Sequence, residues 1–346
     1  MNYDRFNALV ALVLASDYIS KQVDGYDGDF SVNVAYGKPA NQSSAYIGDQ
    51  WYREPNGFPY TASLAVDGIK TTHFYGNSCS HTAVGQSSPW WEVYLQGLYE
   101  VSSIKIYQRD DANRRSLEGF IVDGMQSNNN YFTIDHSGLY STGNITISLH
   151  PKRQFKSIRI RLLRNDAFIC LCEVEVFAEV NVALGKSAAQ SSTYDGSTYK
   201  AGNGKGLYNA SLAVDGNINT NFSYASCSQT TPNTNTSAWW KVMLNYPYAV
   251  IGLRIYQRTD GENAALLIGY KLFGQLRNNG FEEITVPTYQ PGVINISLQQ
   301  VKIFSEIKVE LIVQDFRGIC LCEVQVFAGI FNCTFDESCT FLDGLC

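Results

Sequence analysis

Four segments of this chain occur twice. NVAYGKPANQSS (33–44) returns as NVALGKSAAQSS (181–192), and ASLAVDG (62–68) returns unchanged at 210–216. IYQRDD (106–111) returns as IYQRTD (255–260), and ICLCEVEVFA (169–178) as ICLCEVQVFA (319–328). The offset drifts only from 148 to 150 residues. A period that long is a duplicated domain, because solenoid units run to about 20–45 residues. The 346 residues therefore read as a leader (1–30), a first domain (31–179), a second domain (180–329) and a cysteine-rich tail (330–346).

Within each copy the pattern is that of short strands and turns. SIRIRLL (157–163) and EIKVELIV (306–313) alternate apolar and polar residues, as half-buried strands do. WWEVYL, SIKIYQ and CEVEVFA are rich in β-branched and aromatic residues, with Gly, Asn, Ser and Asp clustered between them. No helical period runs for ten residues. The expectation is an all-β chain of two tandem antiparallel β-jelly-roll sandwiches, whose end loops carry ligands. Hydrophobic residues make up 45% and charged residues 17%, which suits packed cores. A net charge of −6 disfavours a polyanion such as nucleic acid. No apolar run reaches the roughly 18 residues of a membrane span.

The address reads as extracellular. A short apolar stretch, Ala8 to Ala15, with Val13 and Ala15 placed for a cut after Ala15, resembles a secretory signal, although Asp4 weakens its charged start. The alternative is a docked or disordered first strand. Seven N-glycosylation sequons, at Asn41, Asn144, Asn209, Asn221, Asn235, Asn295 and Asn332, agree with secretion. Nine cysteines fit a disulfide framework in an oxidising compartment, since the Cys-x-Cys pairs 170/172 and 320/322 lie far from histidines. Cys79 with Cys172, and Cys227 with Cys322, would pin the Ser-Cys-Ser loop to the last strand of each copy. Cys170 and Cys320 are left as buried thiols or as an inter-domain pair.

One stretch separates the copies. SCSHTAVGQSSPWW (78–91) becomes SCSQTTPNTNTSAWW (226–240), so that His81 becomes Gln229. With His81 go Arg109, Asp111 and a second basic residue. Guanidinium forks and an imidazole give rigid, directional partners to the hydroxyls of a neutral sugar. His73 is a rival to His81, and a solvated strand-end charge is the plain alternative for Arg109.

The order CSH…PWW…QRDD…R…LCEVEV resembles the F-type lectins, or fucolectins, over both repeats. The resemblance implies a discoidin-related jelly roll, L-fucose as ligand and a bound calcium ion (Ca2+). It assigns sugar contacts to His81, Arg109 and Arg115, with Asp111 orienting an arginine. Phe74 and Tyr75 would wall the sugar's methyl group, with Trp51 or Tyr52 adding to the wall. Two departures stand out: the gap from His81 to Arg109 is one residue longer than the family's, and Arg115 comes one residue early, so Arg114 competes for its role. Ala112-Asn113 stand where many members have adjacent cysteines.

For calcium, the resemblance implies the side chains of Asp67, Ser78 and Glu173 with carbonyls of Leu64, Ile69 and Cys172. In copy two it implies Asp215, Ser226 and Glu323 with carbonyls of Leu212, Asn217 and Cys322. All are oxygen donors, as a hard cation prefers; an Asp-Gly turn with a solvated Glu is the plain alternative. Copy two keeps Arg258 and Asp260 but has Gln229, Ala264 and Ala265 elsewhere in the motif, with sequons Asn221 and Asn235 nearby. Its sugar site is expected to be degenerate.

The expected protein is a secreted, calcium-stabilised lectin for fucosylated glycans on microbial or cell surfaces, with a place in innate immunity. A single shallow site calls for oligomers or arrayed targets to gain avidity. The rival is a discoidin-like adhesion protein binding protein or lipid without fucose. No enzyme is expected, because a glycosidase needs two carboxylates about a bond and the motif offers one Asp, engaged with Arg. The tail, with Cys333, Cys339 and Cys346, resembles the opening of a MAM domain and is too short for a core of its own.

Overall fold

The computed structural model describes residues 30–47, 59–74, 78–111, 117–135, 143–195, 208–232, 237–260, 267–276, 278–287, 291–311 and 318–329. The chain divides into two compact units between Glu179 and Val180. Residues 1–29 of the proposed leader, and the tail, lie outside the described residues. So do Trp51, Tyr52, Tyr75, Ala112, Asn113, Arg114, Arg115, Asn235, Ala264, Ala265 and Asn332.

Both units are all-β. The first contains β1 (Ser31–Asn33), β2 (Ala40–Gln42), β3 (Ser80–His81), β4 (Trp90–Gln108), β5 (Ile121–Met125), β6 (Tyr131–Asp135), β7 (Ile145–Arg161) and β8 (Cys170–Glu179). The path of pairing is β1-β8-β4-β7-β5-β6, with β2 on β4 and β3 on β8. The second contains β9 (Ala188–Gln190), β10 (Ser228–Gln229), β11 (Ala238–Gln257), β12 (Tyr270–Gln275), β13 (Phe281–Ile284), β14 (Val293–Leu311) and β15 (Cys320–Ala328). Its path is β10-β15-β11-β14-β12-β13, with β9 on β11. The pairings are antiparallel throughout. Among the described residues no helix is long and apolar enough to cross a membrane.

The long strands bend to serve both layers of a sandwich. The start of β4 pairs with β2 and the end of β7, and turns Trp91, Val93 and Leu95 into the core. A bulge between Tyr94 and Tyr99 breaks the register, after which β4 pairs with β8 and the start of β7 and turns Val101, Ile104 and Ile106 inward. Extra residues in one strand let a sheet kink and re-aim its side chains. The strand β11 carries the same irregularity, between Met243 and Tyr248.

The loop end of each unit is tied down by the second tryptophan of the Trp-Trp pair. The indole N–H of buried Trp91 donates to the Ala62 carbonyl at 3.0 Å, and that of Trp240 to Ala210 at 3.0 Å. These bonds hold the short 3-10 turns Ala62–Ala65 and Ala210–Ala213, which lead into Asp67-Gly68 and Asp215-Gly216. The structure joins Cys79 to Cys172 and Cys227 to Cys322, and leaves Cys170 and Cys320 as buried free thiols. Each bridge spans more than ninety residues, a length at which loop closure contributes about 4–5 kcal/mol.

One glycine in each core is dictated by packing. A Cβ on Gly124 would lie 2.3 Å from the Phe155 ring, and one on Gly274 the same distance from Phe304. Both rings are fully buried and have no room to retreat. Gly124→Ala and Gly274→Ala should each lower unfolding stability by about 2–3 kcal/mol, read as an earlier urea midpoint for the affected unit; an unchanged midpoint would contradict this packing.

Candidate functional site

The site begins at β3, a strand of only two residues. Ser80 and His81 pair with Leu171 and Cys170 of β8. The Thr82 N–H continues the ladder onto the Ile169 carbonyl at 2.9 Å, and the Ile169 N–H donates to Thr82 Oγ1 at 2.9 Å. His81 is 4% exposed. Its ring stacks on Phe168 (centroids 4.6 Å, 12° between planes) and meets Phe74 edge-on at 5.3 Å and Tyr46 at 5.0 Å. Nδ1 lies 2.5 Å from the Thr82 carbonyl oxygen, which can only accept, so Nδ1 carries the proton and donates. Burial first, with the charge of Arg109 adding to it, holds the pKa down at about 4. The imidazole is therefore neutral at physiological pH, with Nε2 as a lone-pair acceptor.

Arg109 follows directly on β4. It is 3% exposed and its guanidinium lies over the Phe74 ring, 4.1 Å from the centroid. Its Nε donates to Asp111, so the aspartate orients the arginine. Phe74 is 2% exposed and also stacks on Tyr60 at 4.7 Å. Its ring thus lies under Arg109 and meets His81 edge-on, and it is itself buried. Of the other expected contacts, Tyr75, Arg114 and Arg115 lie outside the described residues. His73, the rival histidine, is exposed.

Sequence reasoning did not find Tyr46, Tyr60, Phe168 or Cys170. Each is an ordinary aromatic or cysteine in a loop or strand, and no spacing marks it. Phe168 had one signal: its counterpart is Gly318, so the stacking partner of His81 is absent from the copy that lacks the histidine.

The second unit keeps the arginine shelf. Arg258 lies 4.2 Å from the Phe222 ring centroid, and Phe222 stacks on Tyr208 at 4.3 Å. Arg258 forks onto Asp260, with Nε 3.1 Å from Oδ1 and an Nη 3.0 Å from Oδ2. Gln229 occupies the β10 position equivalent to His81, opposite Cys320. Asn221, of the sequon beside this site, is half-buried, and its Oδ1 accepts the Ser223 N–H.

A second cluster forms about each Asp-Gly turn. Asp67 Oδ1 accepts the Ile69 N–H at 2.8 Å, and Gly68, at φ 80°, needs the freedom of glycine to make that turn. The Gly68 N–H lies 3.2 Å from both oxygens of Glu173, which is fully buried. Burial, then the charges of Asp67 and Glu175, push Glu173 up to about 9. Ser78 Oγ donates to the Thr71 carbonyl at 2.7 Å. The second unit repeats this: Asp215 Oδ1 accepts the Asn217 N–H at 2.8 Å, and the Gly216 N–H donates to Glu323 Oε2 at 3.2 Å. Ser226 Oγ bonds the Asn219 carbonyl at 2.7 Å. Glu323 is fully buried, its Oε1 has no hydrogen-bond partner, and burial is the first cause of its rise to about 8. Leu64 and Leu212 sit in the 3-10 turns upstream.

Among the described residues no three His, Cys, Asp or Glu side chains form a metal cluster. Each unit instead has two acidic side chains that act on each other, Asp67 with Glu173 and Asp215 with Glu323, and each has a serine hydroxyl bonded to a loop carbonyl. That donor set suits a hard divalent cation, and a cation would relieve the facing, buried carboxylates.

The neutral histidine carries a pH signature. Its folded pKa of about 4 lies below the ordinary 6.5, so the unfolded chain takes up the proton first. The stability contributed by the neutral form is complete above pH 6.5 and is lost as pH falls toward 4. His81→Gln should flatten the melting temperature of the first unit between pH 7 and 4.5, with calcium present throughout; equal slopes in the two proteins would contradict the burial of the imidazole.

Comparison with known proteins now bears on this geometry. Residues 64–160 match a family model described as a NedA-like, galactose-binding domain. Fucolectin-1 of Anguilla japonica is 37% identical over 153 residues, covering 42% of this chain and 80% of the relative. Fucolectin-6 of the same eel is 32% identical over 148 residues, covering 42% of this chain and 75% of the relative. The serum F-lectin of Morone saxatilis (striped bass) aligns in structure with 87% of this chain and 99% of its own, at 26% identity and a TM-score of 0.41. The chain belongs to the F-type lectin, or fucolectin, family as two tandem discoidin-like domains, a family of binding proteins and not of enzymes.

Proposed function

We propose that the chain is a secreted lectin whose first domain binds L-fucose on glycans, with calcium stabilising the loop end of each domain. The observation that carries the reading is the pairing of opposite hydrogen-bonding characters about one aromatic ring. His81 contributes a lone-pair acceptor and Arg109 a fork of donors; Arg109 lies over the Phe74 ring and His81 meets the same ring edge-on. A sugar hydroxyl both donates and accepts, so it can satisfy the two at once. Arg115, or Arg114 beside it, is proposed as the second guanidinium. The names of the eel relatives support fucose as the ligand.

The second domain is proposed to be the weaker or silent one. His81 and its stacking partner Phe168 are replaced together by Gln229 and Gly318. A side chain cannot easily return at Gly318, because its Cβ would lie 2.3 Å from the Thr230 carbonyl oxygen. Isothermal titration of the full chain with fucose, and a glycan array with free fucose as competitor, test the assignment. Arg109→Ala should weaken fucose binding by about ten- to a hundredfold, the effect of a lost charge-assisted donor, while Arg258→Ala leaves it intact. The reverse outcome would move the site to the second domain.

Calcium, when bound, supplies a divalent charge that neutralises facing carboxylates; it carries out no reaction. Asp67, Ser78 and Glu173 are proposed to hold one ion, and Asp215, Ser226 and Glu323 a second. Saturating calcium should stabilise each domain by about 3–4 kcal/mol at a hundred to a thousand times its dissociation constant. Scanning calorimetry with calcium and with chelator reads this as a rise in both transitions. Asp215→Asn should abolish the rise in the second domain alone, and transitions indifferent to chelator would sink the metal.

A further inference from the structure

Asn221 opens the sequon Asn-Phe-Ser and stands where the first copy has His73, in front of the phenylalanine that both copies keep. A ladder of side chains leads to it. Asp215 Oδ1 accepts the Asn217 N–H at 2.8 Å, and Asn217 Oδ1 the Asn219 N–H at 3.1 Å. Asn219 Oδ1 accepts the Asn221 N–H at 3.0 Å, and Asn221 Oδ1 the Ser223 N–H at 3.1 Å. The Ser223 hydroxyl bonds the same oxygen. An N–H can only donate, so the side of the Asn221 amide that faces Ser223 is its oxygen. Nδ2 branches away from that oxygen and makes no hydrogen bond among the described residues. A substituent on Nδ2 therefore leaves every rung of the ladder in place.

The position bears on the arginine of the second domain. The Phe222 N–H, one peptide bond on from Asn221, donates to Asp260 Oδ1 at 2.7 Å. Asp260 takes the fork of Arg258, which lies over the Phe222 ring. Ile218 and Tyr224, on either side of Asn221 in sequence, are large apolar side chains left exposed, Tyr224 at 72%. A bulky hydrophilic group on Asn221 would cover them together with the arginine end. No Asn-x-Ser/Thr occurs between Thr61 and Trp91, the equivalent part of the first copy.

We propose that Asn221 carries an N-linked oligosaccharide that covers the Arg258–Phe222 end of the second domain, so that this end is closed to outside glycans by the chain's own. This deepens the reading of the second domain as the silent one and rests on the reading that the chain is secreted. The donor is an oligosaccharide on a polyprenyl pyrophosphate. Its anomeric carbon–oxygen bond breaks, a bond from that carbon to Nδ2 forms, the amide nitrogen gives up one proton, and the polyprenyl pyrophosphate leaves. No oxidation or reduction is involved. Transfer precedes folding, because Phe222 inside the sequon is buried in the folded domain. The consequence is a chain with one open ligand end, whose avidity has to come from several chains and not from its two domains.

The test uses the full chain made in a secreting eukaryotic cell, once from its own leader and once behind an added secretory signal. Glycopeptide mass spectrometry reads Asn221, and hydroxyl-radical footprinting reads the oxidation rate of Tyr224, with Phe281 on β13 as an exposed ring remote in sequence. The glycan is removed in two ways: by Asn221→Gln, and by an amidase acting on the folded wild-type protein, which leaves an aspartate able to accept the Ser223 N–H. The expected result is a glycan on Asn221, and a several-fold faster oxidation of Tyr224 after either removal with Phe281 unchanged. Asn221 found unmodified would overturn the proposal, as would a Tyr224 rate indifferent to amidase. If only the added signal exports the chain, the secretion reading fails, and occupancy and footprint behind that signal still decide Asn221.

Discussion

A strand of two residues holds the loop end of each domain together. Ser80 and His81 are registered on β8 by backbone pairing, the Ser80 hydroxyl donates to the Leu171 carbonyl at 3.1 Å, and Cys79 is bonded to Cys172 next door. This attachment faces two ways. On one side it sets His81 against Phe74 and Arg109. On the other it ties Ser78 to the Thr71 carbonyl and fixes Cys172, next to Glu173 in sequence. The His81 side and the Asp67 side are therefore joined through one short attachment. Loss of the cystine should be felt at His81, two residues on from Cys79.

That coupling accounts for what the two copies share and where they part. The second domain repeats the cystine, the Ser228 hydroxyl on Leu321, the Asp-Gly turn and the buried glutamate. It also repeats the arginine lying on a phenylalanine. These residues hold the loop end in shape, and changing one leaves a buried polar group without its partner. His81 and Phe168 carry no such duty. They stack on each other, and their joint replacement by Gln229 and Gly318 lets the backbone close on Thr230. The copies have thus diverged at the stacked pair His81 and Phe168 and stayed alike at the residues that hold the loop end.

Much of this was legible before the structure. The duplication, the β-rich pattern and the cysteines of the two bridges follow from repeated words and alternating polarity. His81, Arg109 and Asp111 follow from their order along the chain. Less legible was what lies around them. Phe74 reads as a wall for a ligand, and that reading did not include its burial under Arg109. Tyr46 reaches His81 from 35 residues upstream and Phe168 from 87 residues downstream, on unrelated loops. Local spacing cannot report such contacts, since only the closure of the sandwich brings those loops together.

The amino-acid sequence by itself determined that this is two copies of one β-domain, that each copy has a pair of cysteines able to close its loop end, and that one copy alone carries the histidine. These are properties of pattern and identity, and they survive without coordinates. The tertiary structure alone decided the protonation and roles of those residues. Burial among three aromatic rings makes His81 a neutral acceptor. Packing on the Phe74 ring and the bond to Asp111 make Arg109 a held, buried cation rather than a solvated strand end. The physical reason is solvation: whether a polar group is an acceptor, a donor or a charge depends on the water it has lost and the partners that replace it, and those are set by contacts far apart in the chain.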